Sequence, residues 1–277
     1  MIFSVIVPFL DEEAYLRRCL TALLNQDVPR KDYEIILVDN GSRDGSVAIA
    51  RSFPGITLIH HPVPNVYAAR NKALRIARGR IIALTDADCE VSRDWLRAIR
   101  EGLDGSEAPI ALGKRLFPQD ISPVLRLFAS YENAKAEALC ARSPRKYIFA
   151  SANNMAVRAE AFGRFGLFDE REAASDIEFV QKCLRADAGA RVVYLSGMRA
   201  VHLEVRTLGI WFRKMVAYGR LIARTPRYRP LPGRIKFEVF RRVCREEGLG
   251  LPEQARFLVW LVVGNVFFSW GGWKGKL

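Results

Sequence analysis

The hydrophobic positions in the first half of the chain alternate between two patterns. Short β-branched runs are separated by longer stretches in which apolar residues recur every three or four positions, as at Leu16, Leu20, Leu23 and Leu24. The first pattern is typical of buried strands and the second of amphipathic helices, so their alternation predicts a parallel sheet covered by helices. The predicted strands are Phe3–Val7, Glu34–Val38, Ile56–Ile59 and Arg80–Leu84, and the predicted helices are Glu13–Leu24, Ser46–Phe53 and Tyr67–Arg78.

The second half continues this α/β pattern and then changes character. It predicts strands near Ile110–Gly113 and Arg191–Leu195, a strand-like segment Arg199–His202, and helices within Pro123–Cys140 and Asp176–Ala186. From Thr207 onward the chain is helical and basic. We therefore expect a catalytic domain over residues 1–222 and a basic, apolar helical extension over residues 223–277.

The net charge of +13 is concentrated in the last third of the chain. Residues 191–277 contain 17 Lys/Arg and 5 Asp/Glu, whereas residues 1–190 are nearly balanced, with 26 and 25. Such a basic region can bind nucleic acid, anionic lipid or a phosphorylated substrate, or it can be an ordinary solvated surface. The five cysteines are scattered without a C-x-x-C pair, which disfavours disulfides and a zinc site. With no cleavable signal pattern at Met1–Val7, this favours the cytoplasm.

Two aspartates, Asp86 and Asp88, follow the fourth predicted strand. Ligands of such sheets bind beyond the C-terminal ends of the strands, so functional side chains are expected at this position. Two carboxylates at this spacing can hold Mg²⁺ or Mn²⁺, which would bridge the phosphates of a nucleotide diphosphate. The pair could equally form an Asx turn or a helix cap. The sequence contains neither G-x-G-x-x-G nor a P-loop, which excludes a dinucleotide-binding dehydrogenase.

Four segments occur in an order that resembles family 2 glycosyltransferases of the GT-A fold. They are Val5-Ile6-Val7-Pro8-x-x-Asp11-Glu12-Glu13, Val38-Asp39-Asn40-Gly41-Ser42, Ala69-Arg70-Asn71-x-Ala73 and Asp86-Ala87-Asp88. The likeness covers about residues 2–220, and the combination is far more specific than any single segment. It implies an α/β, Rossmann-like, mostly parallel sheet of GT-A type. It also implies an inverting, metal-assisted transfer of a sugar from a UDP-, GDP- or TDP-linked donor to an acceptor hydroxyl.

The resemblance further implies roles for individual residues. Pro8 and Glu12 would contact the nucleoside, Asp39 the base or ribose, Arg70 the nucleotide and diphosphate, and Asp86 the ribose, while Asp88 would bind Mn²⁺ or Mg²⁺. Many relatives have an aromatic residue at the position of Leu10, and many have a second acid at the position of Asn40. These departures leave the identity of the nucleotide open.

The resemblance also implies the general base and a further metal ligand. The base of the family is an acid that opens a helix, and Asp176 occupies that position here. Ser175-x-x-Glu178 is also a capping box, and the two roles are compatible because a helix start is a rigid mount for a carboxylate. His202, followed by Trp211 in a basic helix, matches a histidine that completes metal coordination, although a lone histidine is more often structural. The segment Ser151–Met155 resembles the acceptor-side strand of the family, whose small residues leave room for two sugars, and an ordinary turn between a strand and a helix is the alternative.

The apolar run Phe257–Trp270 is hydrophobic on every face. As a helix it is about 21 Å long, shorter than the ~30 Å hydrocarbon core of a bilayer. Burial in the protein and docking on a membrane surface are therefore the two main alternatives, and a true span is the least favoured. The basic residues that precede the run favour peripheral attachment to the cytoplasmic face of an anionic membrane. The acceptor there would be a sugar or a lipid-linked molecule.

Two other classes of protein compete with this interpretation. A nucleotidyltransferase can share a similar sheet and metal-binding acids, but it usually has a Gly-rich basic loop after the first strand, where this chain has Pro8–Glu13. A non-catalytic binding module at a membrane or on nucleic acid would explain the basic region but not the acids of the first 190 residues. No nucleic-acid-binding motif is present, so nucleic acid is not an expected partner.

Overall fold

The computed structural model describes residues 1–142, 150–171, 174–224 and 231–275. Their contacts divide the chain into two compact units. The first unit comprises Met1–Arg115, Ala150–Arg171 and Ser175–Leu203, and the second comprises the described residues of Leu116–Phe149, Glu172–Ala174 and Glu204–Leu277. The sequence predicts a domain boundary after residue 222. That boundary differs from the partition into these two units, and it stays a prediction.

The first unit contains one sheet and the helices that accompany its strands. The strands are β1 (Phe3–Phe9), β2 (Tyr33–Asp39), β3 (Thr57–His60), β4 (Ile81–Thr85), β5 (Cys89–Val91), β6 (Ile110–Leu116), β7 (Asn154–Arg158) and β8 (Val192–His202). The helices of this unit are α1 (Leu16–Leu24), α2 (Ser46–Arg51), α3 (Val66–Leu74), α4 (Trp95–Asp104), α6 (Ala159–Phe165) and α7 (Ser175–Ala186), with a short 3₁₀ turn at Arg30–Asp32. Helices α5 (Pro123–Arg142), α8 (Leu208–Ala223), α9 (Gly233–Glu246) and α10 (Leu251–Lys274) belong to the second unit.

The sheet has the strand order β3-β2-β1-β4-β7-β6-β8-β5. Strands β1 to β4 are parallel, and β7 pairs antiparallel with both β4 and β6. Strand β5 pairs antiparallel with β8. This arrangement confirms the predicted α/β class with a mostly parallel first half. Because the parallel strands end at one edge, the segments that follow β1, β2 and β4 lie together there.

The hydrophobic pattern was less informative about three elements. Strand β3 was predicted to be buried, but it is an edge strand with Thr57 and His60 exposed. The two predicted segments Arg191–Leu195 and Arg199–His202 are one strand, β8, which continues through Ser196-Gly197 because it packs against α4 and β5. Strand β5 and helix α4 were not predicted. Trp95 begins α4 and is fully buried, so α4 is a core helix.

A buried polar network joins the starts of β1 and β2 to the end of the segment after α3. The Ser4 hydroxyl donates to Glu34 Oε1 at 2.6 Å, and the Arg78 backbone N–H donates to the same oxygen at 2.7 Å. Arg78 Nε and Nη2 donate to Glu34 Oε2 at 3.0 and 2.8 Å. Burial raises the pKa of Glu34, but the bonds from Ser4 and Arg78 outweigh it and hold the pKa below its ordinary value.

In the second unit, α8 and α10 pack closely at glycines. A Cβ atom on Gly219 would overlap the carbonyl oxygen of Phe268, and one on Gly271 would overlap that of Val216. Only glycine allows the two backbones to approach this closely. Phe257, at 1% exposure, is part of an aromatic cluster within the unit. This face of α10 is therefore occupied by protein.

The opposite face of α10 is exposed and apolar. Its large exposed side chains recur at helical spacing and belong to Leu258, Val259, Val262, Val266, Trp270 and Trp273. Helix α10 has 24 residues, ten more than the apolar run on which the length argument rested, and it spans about 36 Å. The length argument, which rested on the apolar run alone, therefore does not apply to the whole helix. By length and composition α10 is a candidate membrane span, the one found among the described helices.

Candidate active site

The loops that follow β1 and β2 are joined by side-chain hydrogen bonds. The Asp11 backbone N–H donates to Ser42 Oγ at 3.1 Å, and the Arg43 N–H donates to Asp11 Oδ1 at 2.7 Å. The Glu12 N–H donates to Ser46 Oγ at 2.8 Å. Asp11 has a φ of +55°, a strained conformation for a non-glycine residue that these bonds stabilise. The predicted nucleoside contact Glu12 is held at this edge of the sheet, where the buried Pro8 lies near the end of β1.

Asp39, the last residue of β2, is nearly inaccessible, at 3% exposure. Its Oδ1 accepts the Ser42 N–H at 2.8 Å, and its Oδ2 lies 2.7 Å from Nδ1 of His60. Burial raises the pKa of Asp39, but the Ser42 N–H and His60 have a larger combined effect and lower it below its ordinary value. The His60 side chain is 64% exposed, so it forms the accessible surface beside this carboxylate.

Helix α3 carries three side chains that organise the site. Tyr67 Oη donates to Asp176 Oδ1 at 3.0 Å, and Arg70 Nη2 donates to Asp86 Oδ1 at 2.6 Å. Asn71 Nδ2 donates to the Phe168 carbonyl at 2.8 Å, and its Oδ1 accepts the Phe168 N–H at 3.1 Å. The Arg70 guanidinium also lies 5.6 Å from the Tyr67 ring centroid. One helix thus fixes the first aspartate of the D-x-D pair, the predicted base and the segment that leads to it.

Asp86 and Asp88 lie at the end of β4 with unequal partners. Asp86 pairs with Arg70, whereas Asp88 Oδ2 lies 2.6 Å from His202 Nε2. Burial raises the pKa of Asp86 above its ordinary value; Arg70 opposes this effect and the neighbouring Asp88 adds to it. The two neighbouring carboxylates repel each other, so a cation bound between them is favoured electrostatically.

Several features of these residues fit a divalent metal. Asp88 and His202 are 7% exposed, and their side-chain atoms converge with Cys89 Sγ, all three ligand atoms lying within 4.8 Å of one another. The backbone supports this arrangement, since the Leu203 N–H donates to the Asp88 carbonyl at 2.8 Å. Arg70 Nε is buried without a hydrogen-bond partner among the described residues. A carboxylate, an imidazole and an unsatisfied cationic donor suit a metal ion together with a diphosphate.

Asp176 lies in the first turn of α7 and is 9% exposed. Besides Tyr67, its carboxylate accepts the Ala152 N–H on Oδ2 at 2.9 Å. This bond ties the predicted base to Ser151–Met155, the predicted acceptor-side segment. Glu178 pairs with Arg185, and Ser175 Oγ has no hydrogen-bond partner among the described residues. Because Ser175 Oγ accepts no backbone N–H among the described residues, the Ser175 half of the predicted capping box is not formed.

Comparisons with known proteins identify the family of the chain. The model of the family described as glycosyl transferase family 2 matches residues 4–166. The chain belongs to this family, and it is a glycosyltransferase with the GT-A fold.

Two curated relatives illustrate the range of similarity. Glycosyltransferase AglE of Haloferax volcanii is 27% identical over 226 residues, which cover 78% of this chain and 71% of that protein. A poly(ribitol-phosphate) beta-glucosyltransferase of Bacillus spizizenii is 32% identical over 120 residues, which cover 41% of this chain and 19% of that longer protein. These matches identify the chain as a glycosyltransferase.

Solved structures show the same fold at low sequence identity. The mannosyltransferase PcManGT from Pyrobaculum calidifontis, in complex with GDP-Man and Mn²⁺, superposes with a TM-score of 0.64 at 20% identity, covering 97% of this chain and 83% of that one. TarS 1-349 of S. aureus in complex with UDP-GlcNAc gives 0.58 at 20% identity, with coverages of 93% and 78%.

Three residues near the predicted site were not found by sequence reasoning. They are His60, Tyr67 and Cys89, which contact Asp39, Asp176 and Asp88 respectively. Tyr67 lies three residues before Arg70, and a helical turn places such residues on one face, so the A-R-N segment could have drawn attention to it. No local signal identifies His60, because its pairing with Asp39 depends on the register of β2 and β3.

Proposed function

We propose that this glycosyltransferase inverts the anomeric centre of a nucleotide-diphosphate sugar, with Asp176 as general base and a divalent metal at Asp88 and His202. The observation that carries the proposal is the position of α3. Through Tyr67 and Arg70, this one helix contacts both Asp176 and Asp86. A base and a diphosphate-binding acid pair fixed by one rigid element suit a single-displacement transfer.

In this reaction the acceptor hydroxyl oxygen bonds to the anomeric carbon while the bond from that carbon to the diphosphate breaks. The hydroxyl proton passes to Asp176, which must act on the sugar face opposite the leaving group. Oδ2 of Asp176 accepts one hydrogen bond among the described residues, from Ala152, and so has a lone pair for the proton. The bonds from Tyr67 and Ala152 hold the carboxylate in one orientation.

The leaving diphosphate carries negative charge that the site must stabilise. Arg70 supplies a guanidinium with an unsatisfied Nε–H. A divalent ion held by Asp88 and His202 would supply Lewis-acid charge to the diphosphate, and Mn²⁺ and Mg²⁺ suit a site of this kind. On this proposal Pro8, Glu12 and Asp39 surround the nucleoside and Asp86 contacts the ribose.

A panel of UDP-, GDP- and TDP-sugars with Mn²⁺ tests the proposed reaction. Release of nucleoside diphosphate and a product of opposite anomeric configuration by NMR would support it. Release of pyrophosphate would instead indicate a nucleotidyltransferase, and binding without turnover would indicate a non-catalytic module. Asp176→Asn should lose turnover by about 10²–10⁴-fold. The matched control is Asp169→Asn, which changes a partly exposed carboxylate paired with Arg171.

We further propose that the second unit docks on the cytoplasmic face of an anionic membrane, where a sugar or lipid-linked acceptor is bound. The exposed apolar stripe of α10 supplies a surface that can enter the lipid interface. Exposed arginines of the same unit supply charge for anionic headgroups, and they include Arg213, Arg220, Arg224, Arg241 and Arg245.

Surface docking fits α10 better than a transmembrane position, despite its sufficient length. One face of α10 is packed against α8 at Gly219 and Gly271, so lipid can reach only the other face. Helix α8 carries Arg213, Lys214 and Arg220, and a span of α10 would draw these charges towards the hydrocarbon core. Charged side chains at that depth are costly.

Co-sedimentation with anionic vesicles tests the docking surface. Val262→Asp places a charge on the exposed stripe and should reduce the bound fraction. Val63→Asp is the matched control, because Val63 is an equally exposed valine of the first unit, at 65% against 56%. Salt should remove part of the wild-type binding, since exposed charges are screened within about 10 Å at 0.1 M. Equal binding of both variants would contradict the proposal.

A further inference from the structure

The proposed metal site contains a potential ligand that the proposed function does not use. Cys89 follows Asp88 directly, and its Sγ lies 3.5 Å from Asp88 Oδ1. The ligand atoms of Asp88, Cys89 and His202 all lie within 4.8 Å of one another. Cys89 is 2% exposed, so the thiol is enclosed with the carboxylate and the imidazole.

The sheet itself brings Cys89 and His202 together. In the antiparallel pair of β5 and β8, Cys89 lies directly opposite His202. Side chains at directly opposed positions of an antiparallel pair project from the same face and come close together. The Leu203 N–H donates to the Asp88 carbonyl, so the hydrogen bonding between the two chain segments continues one residue beyond the Cys89–His202 pair. The convergence of the three side chains thus follows from strand register.

We propose that Cys89 is a third protein ligand of this metal centre, so that the site binds thiophilic ions such as Zn²⁺ and Co²⁺ more tightly than Mn²⁺ or Mg²⁺. This inference rests on the proposed metal site at Asp88 and His202. Carboxylate oxygen alone suits Mg²⁺ and Mn²⁺, whereas a thiolate together with an imidazole favours Zn²⁺ and Co²⁺. On binding, the Cys89 thiol releases its proton to solvent and Sγ donates an electron pair to the metal.

The proposal has a functional consequence. An ion held by thiolate, imidazole and carboxylate binds more tightly and exchanges more slowly than one held by two ligands. Zn²⁺ should therefore displace bound Mn²⁺ even when the Zn²⁺ concentration is well below the Mn²⁺ concentration. The absence of a C-x-x-C pair disfavoured zinc on sequence grounds, but a mixed ligand set assembled across two strands has no such signature.

Absorption spectroscopy of the Co²⁺-loaded protein tests the assignment without reference to activity. Direct ligation predicts a thiolate-to-cobalt charge-transfer band that appears as Co²⁺ is added. Cys89→Ser should abolish the band, and Cys19→Ser should keep it. Cys19 is the matched control because it is fully buried and its Sγ contacts the Asp86 carbonyl, yet it is outside the ligand cluster. Circular dichroism checks that each variant is folded, and Cys89→Ala replaces Cys89→Ser if the serine variant is not.

A second measurement distinguishes the loss of Cys89 as a ligand from the loss of the whole metal site. Displacement of Mn²⁺ by Zn²⁺, followed by the EPR signal of free Mn²⁺, gives both affinities. In Cys89→Ser the Zn²⁺ affinity should fall at least about tenfold, while the Mn²⁺ affinity changes less than about threefold. Co²⁺ binding without a charge-transfer band would overturn the Cys89 assignment and leave the metal site in place. No binding of Co²⁺ or Mn²⁺ would overturn both, and a band that persists in the Cys89 variants would also refute the assignment.

Discussion

Replacing Tyr67 with phenylalanine tests how the proposed base is held. Tyr67 Oη donates to Asp176 Oδ1 at 3.0 Å, and burial raises the pKa of this phenol above its ordinary value, so it is a neutral donor near pH 7. Tyr67→Phe removes only the hydroxyl and keeps the ring that packs 5.7 Å from Phe168. The carboxylate then keeps the Ala152 N–H as its remaining partner outside α7.

The size of the effect follows from the bond that is lost. A hydrogen bond to a charged group contributes about 1.5–3 kcal/mol. Each 1.4 kcal/mol is about tenfold in rate, so kcat should fall by about 10–100-fold if the bond keeps Asp176 aligned with the acceptor hydroxyl. Donor binding depends on other residues, so KM for the nucleotide sugar should change less than about threefold.

The assay compares four variants with the wild-type protein under saturating donor. Tyr67→Phe and Asp176→Asn are measured singly and together, with Tyr33→Phe as control. Tyr33 is also buried, at 1% exposure, but its Oη contacts the Leu24 carbonyl. If Tyr67 acts through Asp176, adding Tyr67→Phe to Asp176→Asn should cause little further loss. Additive losses in the double variant, or wild-type kcat in Tyr67→Phe, would refute the reasoning.

Three further predictions concern other parts of the first unit. EDTA should abolish sugar transfer, and added Mn²⁺ should restore it. Asp88→Ala should stay inactive with added Mn²⁺, yet it should unfold at a near-normal urea concentration. Full activity in EDTA would exclude a role for the metal. Glu34→Gln should lower the free energy of unfolding by about 1–3 kcal/mol above pH 4.5, the ordinary pKa of a glutamate. Because the folded-state pKa of Glu34 is lowered, this difference should disappear as the pH falls through that pKa, and urea unfolding measured in steps downward from pH 7 follows the loss. His60→Ala removes the partner of Asp39 Oδ2 and should weaken the binding of nucleoside diphosphate about tenfold, as measured by calorimetry. The control His61→Ala should leave this affinity unchanged. Equal effects of the two variants would argue against a role for the His60–Asp39 pair.

The local pattern of the chain was sufficient to predict the fold class and much of the site. Period-2 and period-3.6 patterns depend on neighbouring residues only, so they predicted β1, β2, β4 and the helices between them. A parallel sheet brings the ends of its strands to one edge, so the positions of Asp39, Asp86 and Asp88 beyond their strands indicated a common site. Charge counting likewise showed that the basic character belongs to the last third.

Only the tertiary structure determined which of these residues meet. Tyr67 and Asp176 are 109 positions apart, so no window of sequence contains both residues. Asp88 and His202 are 114 positions apart, and only the family resemblance had assigned both to one metal. Their contact depends on strand order and register, since β8 reaches Asp88 by pairing with β5 at the far end of the sheet. The same holds for α10, whose apolar sequence looked uniform but has one face packed on glycines and the other exposed. Composition is a property of the segment alone, whereas burial is a property of what packs against it.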